Sequence, residues 1–169
     1  MIQLRRPSLE IVDSYLEMMD EFRSYGEKVW EGTVPENTES SLDFIYRLLK
    51  YEIHPPQGDV PSLVYWAIMN GQVVGIITLR TQLTELSREF GGNIGYEVRP
   101  SARGKGLATE MLKLLLETTD AKKAGELLLT CSPDNEASIR TILKNNGEFL
   151  GTAYVERMKR QTNYYLIRL

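Results

Sequence analysis

The chain has 169 residues, 42% of them hydrophobic and 25% charged, with a net charge of −3. That size and balance predict one folded domain spanning residues 1–169, and they exclude a disordered chain and a general affinity for nucleic acid. A single cysteine, Cys131, and a single histidine, His54, exclude an internal disulfide and a His-rich zinc site, so no metal is expected.

The opening "MIQLRRPSLE" lacks the apolar run of a signal peptide. The longest apolar stretches, such as "VVGIITL", are far short of a membrane span, so a cytoplasmic protein with no membrane partner is expected. From Ser8 to about Tyr25, Leu9, Val12, Tyr15, Leu16, Met19 and Phe22 recur at helical spacing, with Ser8 placed to cap and Gly26 to stop the helix. "EKVWEGTVPENTES" reads as loop, and residues 41–51 read as a second amphipathic helix. His54 stands in the loop "YEIHPPQGD", a context unlike that of a catalytic histidine. "LVYWAIM", the turn Asn70-Gly71 and "VVGIITLRTQL" make a β-hairpin. "NIGYEVRP" alternates as a strand, residues 107–118 present an apolar helical face, and "ELLLTC" reads as a buried strand. "SPDNEASIRTILKNNG" predicts a helix capped near Ser132 or Asp134 and closed at Gly147; "FLGTAYVERM" and "NYYLIRL" form a closing pair. Strand, helix, strand in mid-chain predicts an α/β fold: a mixed, mostly antiparallel twisted sheet with a central parallel β-α-β crossover and helices on both faces.

The stretch "RPSARGKGLATEML" carries Arg99, Arg103 and Lys105 into a glycine turn that opens a helix. Such a turn aims unpaired backbone N–H groups outward at the positive end of the helix dipole, which suits an oxygen-rich anion. Neither the P-loop spacing nor G-x-G-x-x-G is present.

"RGKGLA" fits R/Q-x-x-G-x-G/A and resembles the coenzyme A pyrophosphate turn of the GNAT superfamily of acyl-CoA-dependent N-acetyltransferases. The resemblance extends through "GYEVRPSARGKGLATEML" to "LLTCSPDNEASIRTILKNNG", and is closest to a bacterial group of predicted acetyltransferases carrying G-Y-x-V-R-P-S and T-C-x-x-x-N-x-x-S. It implies acetyl-CoA as co-substrate, with Arg103, Gly104, Lys105, Gly106, Leu107, Ala108 and Thr109 forming the turn. Tyr96 and Val98 would offer backbone groups to the pantetheine, and Asn135 and Ser138 would face its arm. It also implies direct transfer of acetyl to a primary amine of a small molecule or peptide; a non-catalytic acyl-CoA binding or sensing domain is the alternative.

With histidine scarce, the base for such a reaction falls to a carboxylate, a water chain or bulk solvent, and Glu97 in the "GYEV" strand is the best-placed candidate. The sequence leaves open which face of that strand it occupies. The tyrosine that many relatives carry seven residues after the asparagine is replaced by Ile142, leaving Tyr154, Tyr164 or Tyr165 as substitutes. Glu148 stands where the resembling group has a second glycine. Cys131, ending an apolar strand without a histidine, reads as a packed residue. Glu27, Glu31, Glu36 and Glu39, against Lys28 alone, make the first interhelical loop acidic and suited to an ammonium group, with Trp30 placed to pack on an acceptor. A homodimer contact through the closing strands is a further possibility.

Overall fold

The computed structural model describes residues 1–29 and 31–169, and of Glu31 only the backbone. Helix α1 (Val12–Ser24) buries Val12, Tyr15, Met18, Met19 and Phe22, and a 3-10 turn (Leu9–Ile11) leads into it. Ser8 does not cap this helix: it precedes the 3-10 turn in extended backbone, its hydroxyl buried without a partner among the described residues. Gly26 ends the helix as expected, with φ at 73°. Helix α2 (Ser41–Lys50) is capped by Ser40, whose side chain accepts from the Asp43 N–H.

Strand β1 (Gln3–Arg5) pairs antiparallel with β2 (Ser62–Met69), a pairing too short to show in the sequence. The hairpin of β2 with β3 (Gln72–Arg80) turns at Asn70 and Gly71, both at positive φ, as the right-handed strand twist requires. A short helix α3 (Glu85–Glu89) leads to β4 (Ile94–Val98), which pairs with β3. Helices α4 (Leu107–Leu116) and α5 (Thr119–Ala124) carry the chain to β5 (Glu126–Cys131). Helix α6 (Glu136–Lys144) then leads into β6 (Glu148–Val155) and β7 (Arg160–Arg168). Helices α3 and α5, with six residues or fewer, carry too little periodicity to be read beforehand.

The α/β class holds, but the single sheet expected divides into two. One runs β1-β2-β3-β4 and the other β5-β7-β6, and every ladder among the described residues is antiparallel. The crossover from β4 to β5 joins the sheets rather than adding a central parallel ladder. Asn93 makes the join: its N–H donates to Leu128 O at 2.6 Å and its Oδ1 accepts from the Leu128 N–H at 2.8 Å. Its Nδ2 also donates to Arg80 O at 2.9 Å. Gly92 allows this approach, since a Cβ there would strike the Leu128 carbonyl. One core lies between α1, α2 and the first sheet around Trp66, Tyr15 and Phe44; a second gathers α4 with the other face and the second sheet. No helix among the described residues is long and apolar enough to cross a membrane.

Candidate active site

Strand β4 is the last strand of its sheet and β5 is an edge of the other, so the two face each other across a gap. The Arg99 N–H donates to Val74 O on β3, and Asn93 O accepts from Arg80 N–H on the same strand. Alternation then turns the backbone groups of Tyr96 and Val98 away from β3, toward the gap. This is the edge on which an extended ligand could lie as an added strand.

The glycine turn lies just beyond. Gly104 and Gly106 have φ of 77° and 76°, and a Cβ on either would meet nothing within 4 Å, so the surface is open. Gly106 is the N-cap of α4 and supplies no side-chain cap. Backbone N–H groups 104–109 therefore have no partner among the described residues, while Glu110 N–H returns to Gly106 O. Leu107 is buried and anchors the helix; Ala108 and Thr109 are half-buried, and Thr109 Oγ1 lies 3.5 Å from Thr141 Oγ1. The residues present fit an anionic ligand bound by backbone.

The arginine side chains do something else. Arg99 Nε donates to Glu21 Oε2 at 2.6 Å, and Arg103 holds Glu27 through Nη1 at 2.6 Å and Nη2 at 2.8 Å. The expected three-cation field thus reduces to Lys105, whose Nζ stands 3.4 Å from Ser101 O. Each guanidinium is spent on a carboxylate whose pKa it holds below the ordinary value; burial opposes that fall and, for Glu21, is the largest single influence.

Alternation also gives Tyr96 and Glu97 opposite faces of β4. Tyr96 packs against the core formed by α4, and its hydroxyl lies 2.7 Å from Ser138 Oγ on α6. Burial pushes its pKa up to about 12. Glu97 stands on the α1 side: its charge acts on Tyr15, and it feels both Glu27 and Arg103. The residue is exposed, yet the protein around its carboxyl raises the pKa above the ordinary value; the Glu27 carboxylate adds to the rise and Arg103 opposes it. Behind it Tyr15 stacks on Trp66 with ring centroids 4.2 Å apart and donates to Thr33 O at 2.8 Å.

Asn135, not Ser132 or Asp134, caps α6: its Oδ1 accepts from the Ser138 N–H at 3.0 Å. Its amide NH2 is left for other contacts. Ile142 is 1% exposed, against Gly147, so this position is core rather than a source of a polar group. Of the substitute tyrosines, Tyr154 is exposed, Tyr164 donates to Glu89 O at 2.7 Å, and Tyr165 is buried with its hydroxyl accepting from Asn163 Nδ2. Cys131 is buried at the end of β5, with a raised pKa caused by burial. Glu148 receives Arg168, so its carboxylate has a structural use.

In the first interhelical loop, Glu27 is held by Arg103. Glu39 is held by Arg47 at 2.8 and 2.7 Å, and Arg47 also reaches Gly32 O and Val34 O. The expected pool of free carboxylates is therefore largely matched by arginine; Trp30 and the Glu31 side chain lie outside the described residues. The sequence reading missed the Tyr96 hydroxyl's reach to Ser138 and the Arg99–Glu21 and Arg103–Glu27 pairs. The partners of those pairs lie 78 and 76 residues apart, and no local pattern marks them.

Residues 2–148 match the family model described as the acetyltransferase (GNAT) domain. The chain belongs to the GNAT acetyltransferase family. GNAT enzymes use acetyl-CoA as co-substrate, and this chain is an acetyl-CoA-dependent acetyltransferase of that family. No curated protein matches the sequence. Among solved structures it is similar in fold to a microcin C7 self-immunity acetyltransferase in complex with acetyl-CoA and AMP. That pair has a TM-score of 0.67 at 16% identity, covering 99% of this chain and 92% of the other. The acetyl transferase of Salmonella typhimurium that modifies the N-terminal serine of ribosomal protein L7/L12 gives a TM-score of 0.67 at 14% identity, with 99% and 95% covered. An aminoglycoside acetyltransferase in complex with coenzyme A gives 0.64 at 21% identity, with 99% and 95% covered. Neighbours named for such different molecules share this fold, so the fold alone does not identify an acceptor.

Proposed function

We propose that this GNAT domain, residues 1–169, moves acetyl from acetyl-CoA directly to a primary amine of a small molecule or peptide. The observation that carries the reading is the continuity of the open turn with the gap-facing edge of β4, with Glu97 on the opposite face of that strand. Backbone N–H groups of Gly104, Lys105, Gly106, Leu107, Ala108 and Thr109 hold the pyrophosphate, following on from Arg103. Tyr96 and Val98 lend backbone groups to the pantetheine, and Asn135 and Ser138 face it from α6. Acetyl-CoA supplies an activated acyl group on a thiol leaving group.

Glu97 takes the proton that the acceptor ammonium must lose before its nitrogen can attack the thioester carbonyl, and its raised pKa suits it to that task. The Tyr96 hydroxyl, paired with Ser138, stays protonated at neutral pH and is the donor for the departing thiolate, taking the role that Ile142 cannot. The amine acceptors named for the neighbours, a protein N-terminal serine and an aminoglycoside, support an amine here. The buried Ile142 favours the second reading, an acyl-CoA binding domain without chemistry. Free thiol release from acetyl-CoA, measured with peptides bearing free N-termini, polyamines and aminoglycosides, separates the two. Transfer predicts acceptor-dependent thiol release that Glu97→Gln slows by about 10²–10⁴-fold; binding of acetyl-CoA with no thiol release in any mixture supports the second.

A further inference from the structure

The segment leading into the open turn is tied to the end of α1. Arg99 and the Ser101 N–H share the two oxygens of Glu21, each at 2.6 Å. Arg103 does more: both its Nη atoms hold Glu27, Nε donates to Val98 O at 3.0 Å, and its guanidinium lies 5.6 Å from the centroid of the Phe22 ring. Glu27 is itself fixed, because the N–H groups of Gly26 and Glu27 return to Arg23 O and Phe22 O across the left-handed Gly26. A bidentate guanidinium sets both distance and plane, which a single contact does not. Arg47 pins the far end of the same loop through Glu39, Gly32 and Val34. The described residues on either side of position 30 are thus held by two arginines, one from α2 and one from the segment that opens the glycine turn.

We propose that Arg103 is a positioning residue: with Glu27 it forms a strut that holds the acceptor-side loop against β4 beside Glu97, and its guanidinium is not a phosphate contact. The inference rests on the reading of the Glu97 face as the acceptor side. Its occupied donors support it, since three are committed to Glu27 and to the carbonyl of the residue after Glu97. The charged or titratable groups that act on Glu97 or feel it are Glu27 from the loop root, Arg103 from the turn and Tyr15 from α1. Breaking the strut therefore changes both the loop and the field at Glu97.

Trypsin provides a readout that needs neither coenzyme nor acceptor, because Lys28 is exposed and follows Glu27 directly. Cleavage after Lys28, followed by fragment mass, is expected to be about tenfold faster in Glu27→Gln and in Arg103→Gln, and no faster in the double variant. The swapped pair Glu27→Arg with Arg103→Glu, which itself adds a tryptic site at position 27, is expected to restore protection at both 27 and 28, with circular dichroism checking each fold. Coenzyme A affinity by calorimetry is expected to stay within about threefold of wild type in Arg103→Gln. The Glu97 carboxyl, followed by 13C NMR, is expected to titrate lower in Glu27→Gln and higher in Arg103→Gln, opposite signs that loop loosening alone does not give. Equal Lys28 cleavage in all variants, or a tenfold loss of coenzyme A affinity in Arg103→Gln, overturns the proposal. Wild type that fails to bind coenzyme A overturns the functional reading instead, and the proteolysis still tests the strut.

Discussion

The glycine turn after β4 and the loop after α1, joined by the Arg103–Glu27 pair, are built on opposite plans. The turn, residues 104–109, presents backbone N–H groups over open glycines and relies on almost no side chain. In the loop that follows α1, two of the carboxylates, Glu27 and Glu39, are matched with arginines. The difference teaches where substitutions act. A turn built of backbone is harmed by added side chains, whereas a loop built of ion pairs is harmed by lost ones.

A large loss of coenzyme affinity is expected at the turn. Gly106→Val puts a β-branched residue at a φ of 76°, where it also covers the N–H groups of α4. The backbone strain costs about 1–2 kcal/mol, which the fold should survive. Coenzyme A affinity should nevertheless fall by about a hundredfold or more by calorimetry, since several charge-assisted bonds are lost together. Near wild-type affinity in the folded variant would make the two regions alike in tolerance and remove the turn from the account.

Glu97→Gln comes next. Loss of a general base should lower kcat by about 10²–10⁴-fold with coenzyme affinity kept. Loss of affinity instead would move Glu97 to the coenzyme side of the strand.

In the loop, Arg47→Ala should destabilise the protein by about 2–3 kcal/mol in urea unfolding, because its donors serve Glu39, Gly32 O, Val34 O and the Tyr51 hydroxyl. The same pair gives a pH dependence. The Arg47 hydrogen bonds hold the Glu39 carboxyl below its ordinary value, although burial opposes them. Its contribution to stability is thus present above the unfolded value of about 4.5 and lost as pH falls through the lower folded value. Arg47→Ala should therefore unfold with less change between neutral and acid pH than wild type.

The smallest effect belongs to Lys105→Ala. Its ammonium is the one cation of the turn without a carboxylate among the described residues, so coenzyme affinity should drop about threefold and depend less on salt. A loss as large as that of Gly106→Val would mean that charge rather than backbone governs the turn.

What could be read beforehand follows the same division. The open turn at "RGKGLA" is legible in local spacing because glycine conformation and helix-end dipoles are properties of adjacent residues. Helices α1, α2, α4 and α6 and the Asn70-Gly71 hairpin are likewise written in short-range periodicity. The split into two sheets was hidden, since it depends on Asn93 reaching Leu128 and on the absence of a Cβ at Gly92. The α6 cap was misplaced because Ser132, Asp134 and Asn135 are all good caps, and only the path of the chain leaving β5 selects Asn135. The acidic loop was misread for the same reason as the cationic turn: Arg103 and Glu27 cancel each other across the fold, and counting charges along the chain treats them as separate.

The central claim is that Glu97 accepts the proton of an amine presented on the α1 face of β4, while coenzyme is held at the gap. It is tested most directly by the pH dependence of kcat/KM for the best amine in the thiol-release assay, compared between wild type and Glu97→Gln. Desolvation by the surrounding protein and the Glu27 carboxylate raise the Glu97 pKa, so the wild-type rate should fall as pH drops through a value above that of an ordinary glutamate. The variant should be slow throughout and lack that acidic limb, keeping only the rise that comes from the amine itself. A Glu97→Gln enzyme with wild-type rate and an unchanged profile would contradict the account.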